Sequence, residues 1–405
     1  MASRIFSAID IGTAKIACLI GEQGGDGAMR ILGQSLKEAQ GIENGQVTDA
    51  KTVSRIIGSC IRAAEQMAEH PFSDVTVCTG GLKPYSKMVS KRIKLHHGVV
   101  NREAQLRLFA DPHHTIPDHL MVHNIPGRIM LDDVPVRGQT EGLHGEQITV
   151  DLFQMYAQAA PIRNLLAVMS ACQIAPRHIV FAGYASGLSV LIEQERQMGS
   201  LLLDLGAGLT QACLFYGGGL VKARILPLGG RVMTMDLARG LATPIERAEK
   251  LKANHGSVLP DAETDSEMIK TLWLGDEQAA EANQISKGQI ASMIRPRFDE
   301  ILEMLKGSFT ASELALAQNI VVTGGAAELD GVLMQVERSF EKPTRLGRPR
   351  GFPGLSDADN GPELASSTGT LRFASQDSSP SRIAMQFAGT GWFSGFRQWL
   401  SEKFL

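Results

Sequence analysis

Two short stretches of this 405-residue chain set a carboxylate beside glycines at a tight turn: Asp10-Ile11-Gly12-Thr13, soon followed by Lys15, and Asp204-Leu205-Gly206-Ala207-Gly208. Glycine lets backbone N–H groups come close to an anion, and an aspartate beside them suits a hard cation. That chemistry belongs to a phosphate chain and its metal. Asp10 and Asp204 would hold Mg²⁺ through its waters, because Mg²⁺ dehydrates reluctantly. Lys15 is placed to reach the phosphates. Further along, Thr323-Gly324-Gly325 would let the backbone pass against a nucleoside, and Glu249 and Lys252, three apart on a helix, share a face for ribose and base. No residue can be assigned as a catalytic base.

Taken singly, an Asp-x-Gly turn is ordinary hairpin chemistry roughly three times in four. The combination and its order carry more. Neither a GxxxxGK[ST] loop nor a GxGxxG opening a helix is present, which removes the commonest competing phosphate sites.

The elements that must position these residues come in a repeated layout. Residues 3–9 and 15–20 read as buried strands flanking the first turn, and residues 200–203 and 210–216 flank the second in the same way. A strand-Asp-x-Gly-strand unit that occurs twice points to a duplicated domain. Residues 320–326 form a third strand running into glycines, with a helix expected from 331 to 340. Helical periodicity is clear around 54–67, 161–172, 244–254 and 297–306, so strands alternate with helices in both halves. Between 83 and 158 the texture shifts to short strands with charged, His-rich turns, as expected of an inserted module.

The last residues differ again. A polar stretch from 376 to 389 reads as a flexible linker, and beyond it Trp392, Phe393, Phe396, Trp399, Leu400 and Phe404 share one face of an amphipathic helix. Two of the three tryptophans lie here, and Trp favours the lipid headgroup boundary. For an arbitrary terminal helix, docking on the domain body is about as common as membrane contact. The tether and the clustered aromatics favour the membrane surface.

Composition narrows the classes. The chain is too long for one core, so at least two lobes are expected. A formal net charge of −3 gives no electrostatic case for nucleic acid. Cys18, Cys60, Cys78, Cys172 and Cys213 are scattered, with no CxxC pair, and fit reduced thiols in the cytoplasm. No stretch suits a signal peptide or a spanning helix, so membrane contact should be peripheral.

The order of these motifs resembles the actin, sugar-kinase and heat-shock-chaperone ATPase superfamily, and within it is closest to the FtsA family of bacterial cell-division proteins. The likeness runs through residues 8–15, 181–191, 243–252 with His255-Gly256, 322–329, a second connecting helix at 364–371, and the terminal helix. It implies an α/β, actin-like two-lobed fold built from duplicated ribonuclease-H-like domains, with an inserted subdomain and a C-terminal amphipathic helix. Its subdivisions would be 1-82, 160-198 and 363-375 for subdomain 1A; 83-159 for the inserted 1C; 199-228 and 315-362 for 2A; and 229-314 for 2B. It also implies ATP and Mg as cofactors and self-assembly into filaments on the cytoplasmic side of the membrane. The partners it implies are the FtsZ C-terminal tail and later division proteins that meet the insert.

One departure bears on turnover. The second loop of this superfamily usually reads Asp-x-Gly-Gly-Gly-Thr-x-Asp, whereas here Leu209 replaces a hydroxyl and Gln211 a carboxylate near the metal or attacking water. Ala207 fits if its φ is negative. Binding with at most weak hydrolysis is therefore expected. A small-molecule kinase of the same superfamily is the rival reading, and it would not need the terminal helix. Three features are set aside: His96-His97 and His113-His114 as solvated turns, Arg345, Arg348 and Arg350 as a solvated loop, and Ser186 as helix packing.

Overall fold

The computed structural model describes residues 4–25, 27–109, 116–136, 138–259, 265–271, 283–355 and 360–376. The expected linker beyond residue 376, the terminal helix and His113-His114 lie outside them. The chain opens with β1 (Arg4–Ile11), β2 (Lys15–Gln23) and β3 (Met29–Glu38), an antiparallel meander. β1 and β2 are nearly continuous apolar runs because both of their faces are covered. Short strands β4 (Ile42–Glu43) and β5 (Gln46–Val47) lead to α1 (Ala50–Ala68), which buries Val53, Ile56, Ile57, Cys60, Ile61 and Ala64 at helical spacing. Asp49 caps it by accepting from the N–H groups of Lys51 and Thr52. β6 (Val75–Thr79) then runs parallel to β1.

A separate antiparallel sheet follows: β7 (Tyr85–Lys94), α2 (Arg102–Phe109), β8 (His119–Leu131), β9 (Val134–Val136) and β10 (Gln147–Gln158), with strand order β7-β10-β8-β9. The sequence suggests short strands here, but β8 and β10 run to 13 and 12 residues. Their inner residues Val122, Ile125, Phe153 and Met155 join the main core, while Ile148, Val150 and Leu152 pack with α2 in a smaller cluster. Cover on both faces erases the alternation by which a long strand is recognised.

Next come α3 (Ala159–Ala171), β11 (His178–Phe181), α4 (Ala182–Val190) and α5 (Glu193–Met198). The meander then repeats as β12 (Ser200–Leu205), β13 (Thr210–Tyr216) and β14 (Gly219–Leu226), followed by α6 (Gly230–Gly240), α7 (Ile245–His255), β15 (Met268–Thr271) and β16 (Asn283–Ser286). α8 (Lys287–Gly307) begins ten residues before the periodicity starts, because Ser286 and Gln289 form a capping box ahead of it. α9 (Ala311–Leu316), β17 (Asn319–Thr323), α10 (Val332–Phe340), β18 (Thr344–Leu346) and α11 (Ala365–Ser375) complete the order.

The duplication is visible in the sheets. One is ordered β11-β6-β1-β2-β3 and the other β18-β17-β12-β13-β14, each with a central strand flanked by parallel strands on one side and an antiparallel meander on the other. α4 and α11 follow the equivalent edge strands and cross each other. At the crossing, an added Cβ on Gly369 would lie 1.8 Å from Ala185 O, and Ser189 and Thr368 hydroxyls meet at 2.8 Å. Among the described residues no helix is long and apolar enough to cross a membrane.

Candidate functional site

Each Asp-x-Gly turn closes the same way. Gly12 N–H donates to Lys15 O at 3.0 Å, and Gly206 N–H donates to Leu209 O at 3.0 Å. A Cβ on Gly12 or Gly206 would sit 3.0 or 2.8 Å from those carbonyls, so the turns need glycine for space rather than for a left-handed φ. Ala207 is not among the residues of positive φ, which is why a side chain is accommodated there. Gly324 is different: its φ is +88° and a Cβ would meet Asp204 Oδ1 at 2.6 Å.

These turns face one another across a cavity of about 380 Å³. Asp10, Gly12, Thr13, Lys15, Asp204, Gly206, Ala207, Gly208, Glu249, Lys252, Gly324 and Gly325 all line it, brought together from four distant segments. Thr323 does not; it is buried, and its hydroxyl bonds the carbonyls of Gly347 at 2.8 Å and Pro362 at 3.1 Å. It fixes the turn from behind.

The two carboxylates are held by the two crossing helices. Ser186 Oγ on α4 donates to Asp204 Oδ2 at 2.6 Å, and Ser366 Oγ on α11 donates to Asp10 Oδ2. Ser186, whose surroundings in the sequence suggest helix packing alone, is therefore a partner of a cavity carboxylate. A signal was present: serine next to alanine and just ahead of a glycine marks both connecting helices, Ala185-Ser186-Gly187 and Ala365-Ser366 before Gly369. Burial pushes the Asp204 carboxyl up to about 6, opposed by Ser186, reinforced by the neighbouring Asp10 charge and opposed by Lys15. Burial also raises Asp10, against the Ser366 hydrogen bond and the Lys15 charge. Lys15 is pulled down by burial despite Asp10, Glu363 and Asp204 nearby, and its Nζ donates to Glu363 O at 2.6 Å.

At the other end, Lys252 donates from Nζ to Gly230 O at 3.0 Å, Thr234 Oγ1 at 2.8 Å and Glu249 Oε2 at 2.7 Å. These bonds use its three protons. Lys252 thus ties α7 to α6, while the Glu249 side chain stays 53% exposed at the cavity wall. The start of α6 is in turn fastened to the second turn, with Gly230 N–H on Gly206 O at 2.9 Å and Arg231 N–H on Ala207 O at 2.8 Å.

Leu209 and Gln211 also line the cavity. Gln211 Oε1 accepts the Gly183 N–H of α4 at 2.9 Å, so its acceptor oxygen has a structural partner. Thr13 Oγ1 accepts the Gly45 N–H at 3.0 Å. His96 and His97 are exposed, and no metal-ligand cluster occurs among the described residues. Arg345 is not solvated: it bridges Glu195 at 2.6 Å and caps Val190 O at 2.9 Å.

Residues 201–369 match the family described as "Cell division protein FtsA". Proteins of that name from Rhizobium meliloti and Escherichia coli K12 are 27% and 26% identical, over 99% and 98% of this chain and 95% and 97% of their own lengths. Among solved structures, a PilM-PilN type IV pilus biogenesis complex superposes with a TM-score of 0.65 at 16% identity, over 92% of this chain and 98% of its own. MreB5 of Spiroplasma citri bound to ADP gives 0.56 at 14%, over 91% and 96%. A MamK double helical filament gives 0.53 at 14%, over 92% and 99%. The fold is that of the actin-like proteins.

Proposed function

We propose that this chain, a relative of the cell-division protein FtsA over nearly its whole length, binds Mg·ATP in the cleft between its two lobes. In this reading it assembles into actin-like filaments on the cytoplasmic side of the cell membrane at the division site. There it tethers the FtsZ ring through that protein's C-terminal tail and recruits later division proteins through the sheet of β7–β10. The observation that carries the nucleotide part is the convergence of twelve residues from four segments on one cavity, with two buried carboxylates facing each other. Burial raises both carboxyls, and a divalent cation relieves that cost, so the donor set fits Mg²⁺ held through water. Lys15 and the turn at Gly206–Gly208 would meet the phosphates, and Glu249 the ribose. The metal supplies charge neutralisation on the phosphates; the protein supplies the cradle.

Weak turnover at most is expected. Gln211 has its oxygen engaged by Gly183 and carries no proton-accepting carboxylate. The relative's name and the MamK filament support the division and assembly parts, and the aromatic face of 390–405 supports the membrane part. A single terminal helix should bind reversibly, and a filament presenting many would bind far more tightly. The test is co-sedimentation with anionic liposomes, with and without ATP, of the intact chain and of one truncated after Gly389. Pelleting of the intact chain alone supports the adaptor; both staying in solution favours a small-molecule kinase.

A further inference from the structure

His123 on β8 is 1% exposed, and its Nε2 accepts the backbone N–H of Phe181 at 2.8 Å. Accepting there requires the neutral ring with its proton on Nδ1. Burial holds the ring neutral, its pKa pushed down to about 3. Nδ1 has no hydrogen-bond partner among the described residues, and the ring lies edge-on to Tyr184 at 5.4 Å and Phe373 at 6.0 Å. In so apolar a layer a leucine would spare the unsatisfied Nδ1–H, but it would leave the Phe181 N–H without its acceptor. What the imidazole adds is the acceptor.

The donor's position gives that acceptor its meaning. Phe181 ends β11 and opens α4. Ala182 lines the cavity, Gly183 N–H grips Gln211, and Ser186 one turn on holds Asp204. The same strand reaches the other lobe: a Cβ on Gly219, the first residue of β14, would lie 2.5 Å from Gly127 Cα. β8 is therefore fastened to the cavity wall at His123 and to the second meander at Gly127.

We infer that His123 is a positioning residue for the cleft wall formed by the start of α4, and that it makes the seating of the β7–β10 sheet and nucleotide occupancy interdependent. Only the second half rests on the nucleotide reading above. Coupling of this kind is reciprocal: whatever shifts β8 changes nucleotide affinity, and nucleotide steadies β8.

Hydrogen exchange on the full chain tests both halves. His123→Leu removes the acceptor, and His123→Gln restores an oxygen at similar reach. In the nucleotide-free protein, exchange across residues 181–186 should quicken about tenfold with Leu and return towards the wild type with Gln, leaving α8 unchanged. The Mg·ATP dissociation constant should rise about tenfold with Leu. Saturating Mg·ATP should slow exchange across residues 119–126 of the wild type. Unchanged exchange at 181–186 with Leu, or Gln behaving like Leu, overturns the positioning role. If the wild type binds no Mg·ATP, the cleft reading falls and nucleotide-free exchange alone decides. Should His123→Leu fail to fold, the wild-type arm decides: no slowing at 119–126 overturns the coupling.

Discussion

Ser186 donates to Asp204 across the seam where α4 meets β12, and it does so from the lobe opposite to the aspartate's own sheet. Ser366 on α11 makes the equivalent bond to Asp10. Each connecting helix therefore holds one of the two cavity carboxylates, α4 that of β12 and α11 that of β1, so both helices serve one cavity. Ser186→Ala deletes one donor to a buried carboxylate, a loss on the order of 1.5–3 kcal/mol when the acceptor is charged. Mg·ATP affinity at pH 7.5 should fall roughly 10- to 100-fold, measured by calorimetry, and Ser186→Thr should recover part of it.

The raised Asp204 carboxyl sets a pH window. Its folded value of about 6 exceeds the unfolded 3.8, so its contribution to stability is full below the unfolded value and lost as pH rises through about 6. Asp204→Asn removes that cost. The nucleotide-free variant should be more stable than the wild type at pH 7.5 by on the order of 1–3 kcal/mol, with most of that difference gone at pH 4. Thermal unfolding at the two pH values checks this. Binding has the opposite dependence: Mg·ATP affinity of the wild type should decline as pH drops below about 6, by up to about tenfold per unit. A flat profile between pH 5 and 7.5 would remove Asp204 from the metal site.

Gly369 lets the connecting helices touch. A methyl there would lie 1.8 Å from Ala185 O, a backbone atom that cannot rotate away. Gly369→Ala should force α4 and α11 apart at a cost on the order of 3 kcal/mol or more, read as a lower denaturation midpoint. Gly307→Ala, where a Cβ meets nothing within 4 Å, is the matched control and should be neutral or better.

The twelve cavity residues were legible because each sits in a local signal: a turn closed within four residues, or a pair three apart on a helix. The serines were not, since Ser186 and Ser366 act on aspartates 18 and 356 positions away, and no spacing rule reaches that far. His123 was invisible for a related reason. On β8 it reads as one more residue of a strand, and only the packing of that strand on α4 supplies its partner. Lys252 lies on the cavity wall as its spacing from Glu249 suggests, but where that spacing points to ribose or base, its three protons go to Gly230, Thr234 and Glu249.

That last difference can be put to a test of its own. Thr234 is 1% exposed and hydrogen-bonds both Lys252 and Glu249 from α6. If Lys252 served the nucleoside directly, Thr234→Val, nearly equal in size and remote from solvent, would leave Mg·ATP affinity alone. If Lys252 works as the tie between α6 and α7, the valine deprives the ammonium of an acceptor and frees Glu249 from its second donor. Stability should then drop by about 1–3 kcal/mol, and Mg·ATP binding should weaken several-fold, because α6 is fastened at its start to Gly206 and Ala207. Lys252→Met should weaken binding further, and the double variant Thr234→Val/Lys252→Met should lose less than the sum of the two single losses, since the two share the Lys252–Thr234 bond. Additive losses would mean that Lys252 reaches the ligand after all.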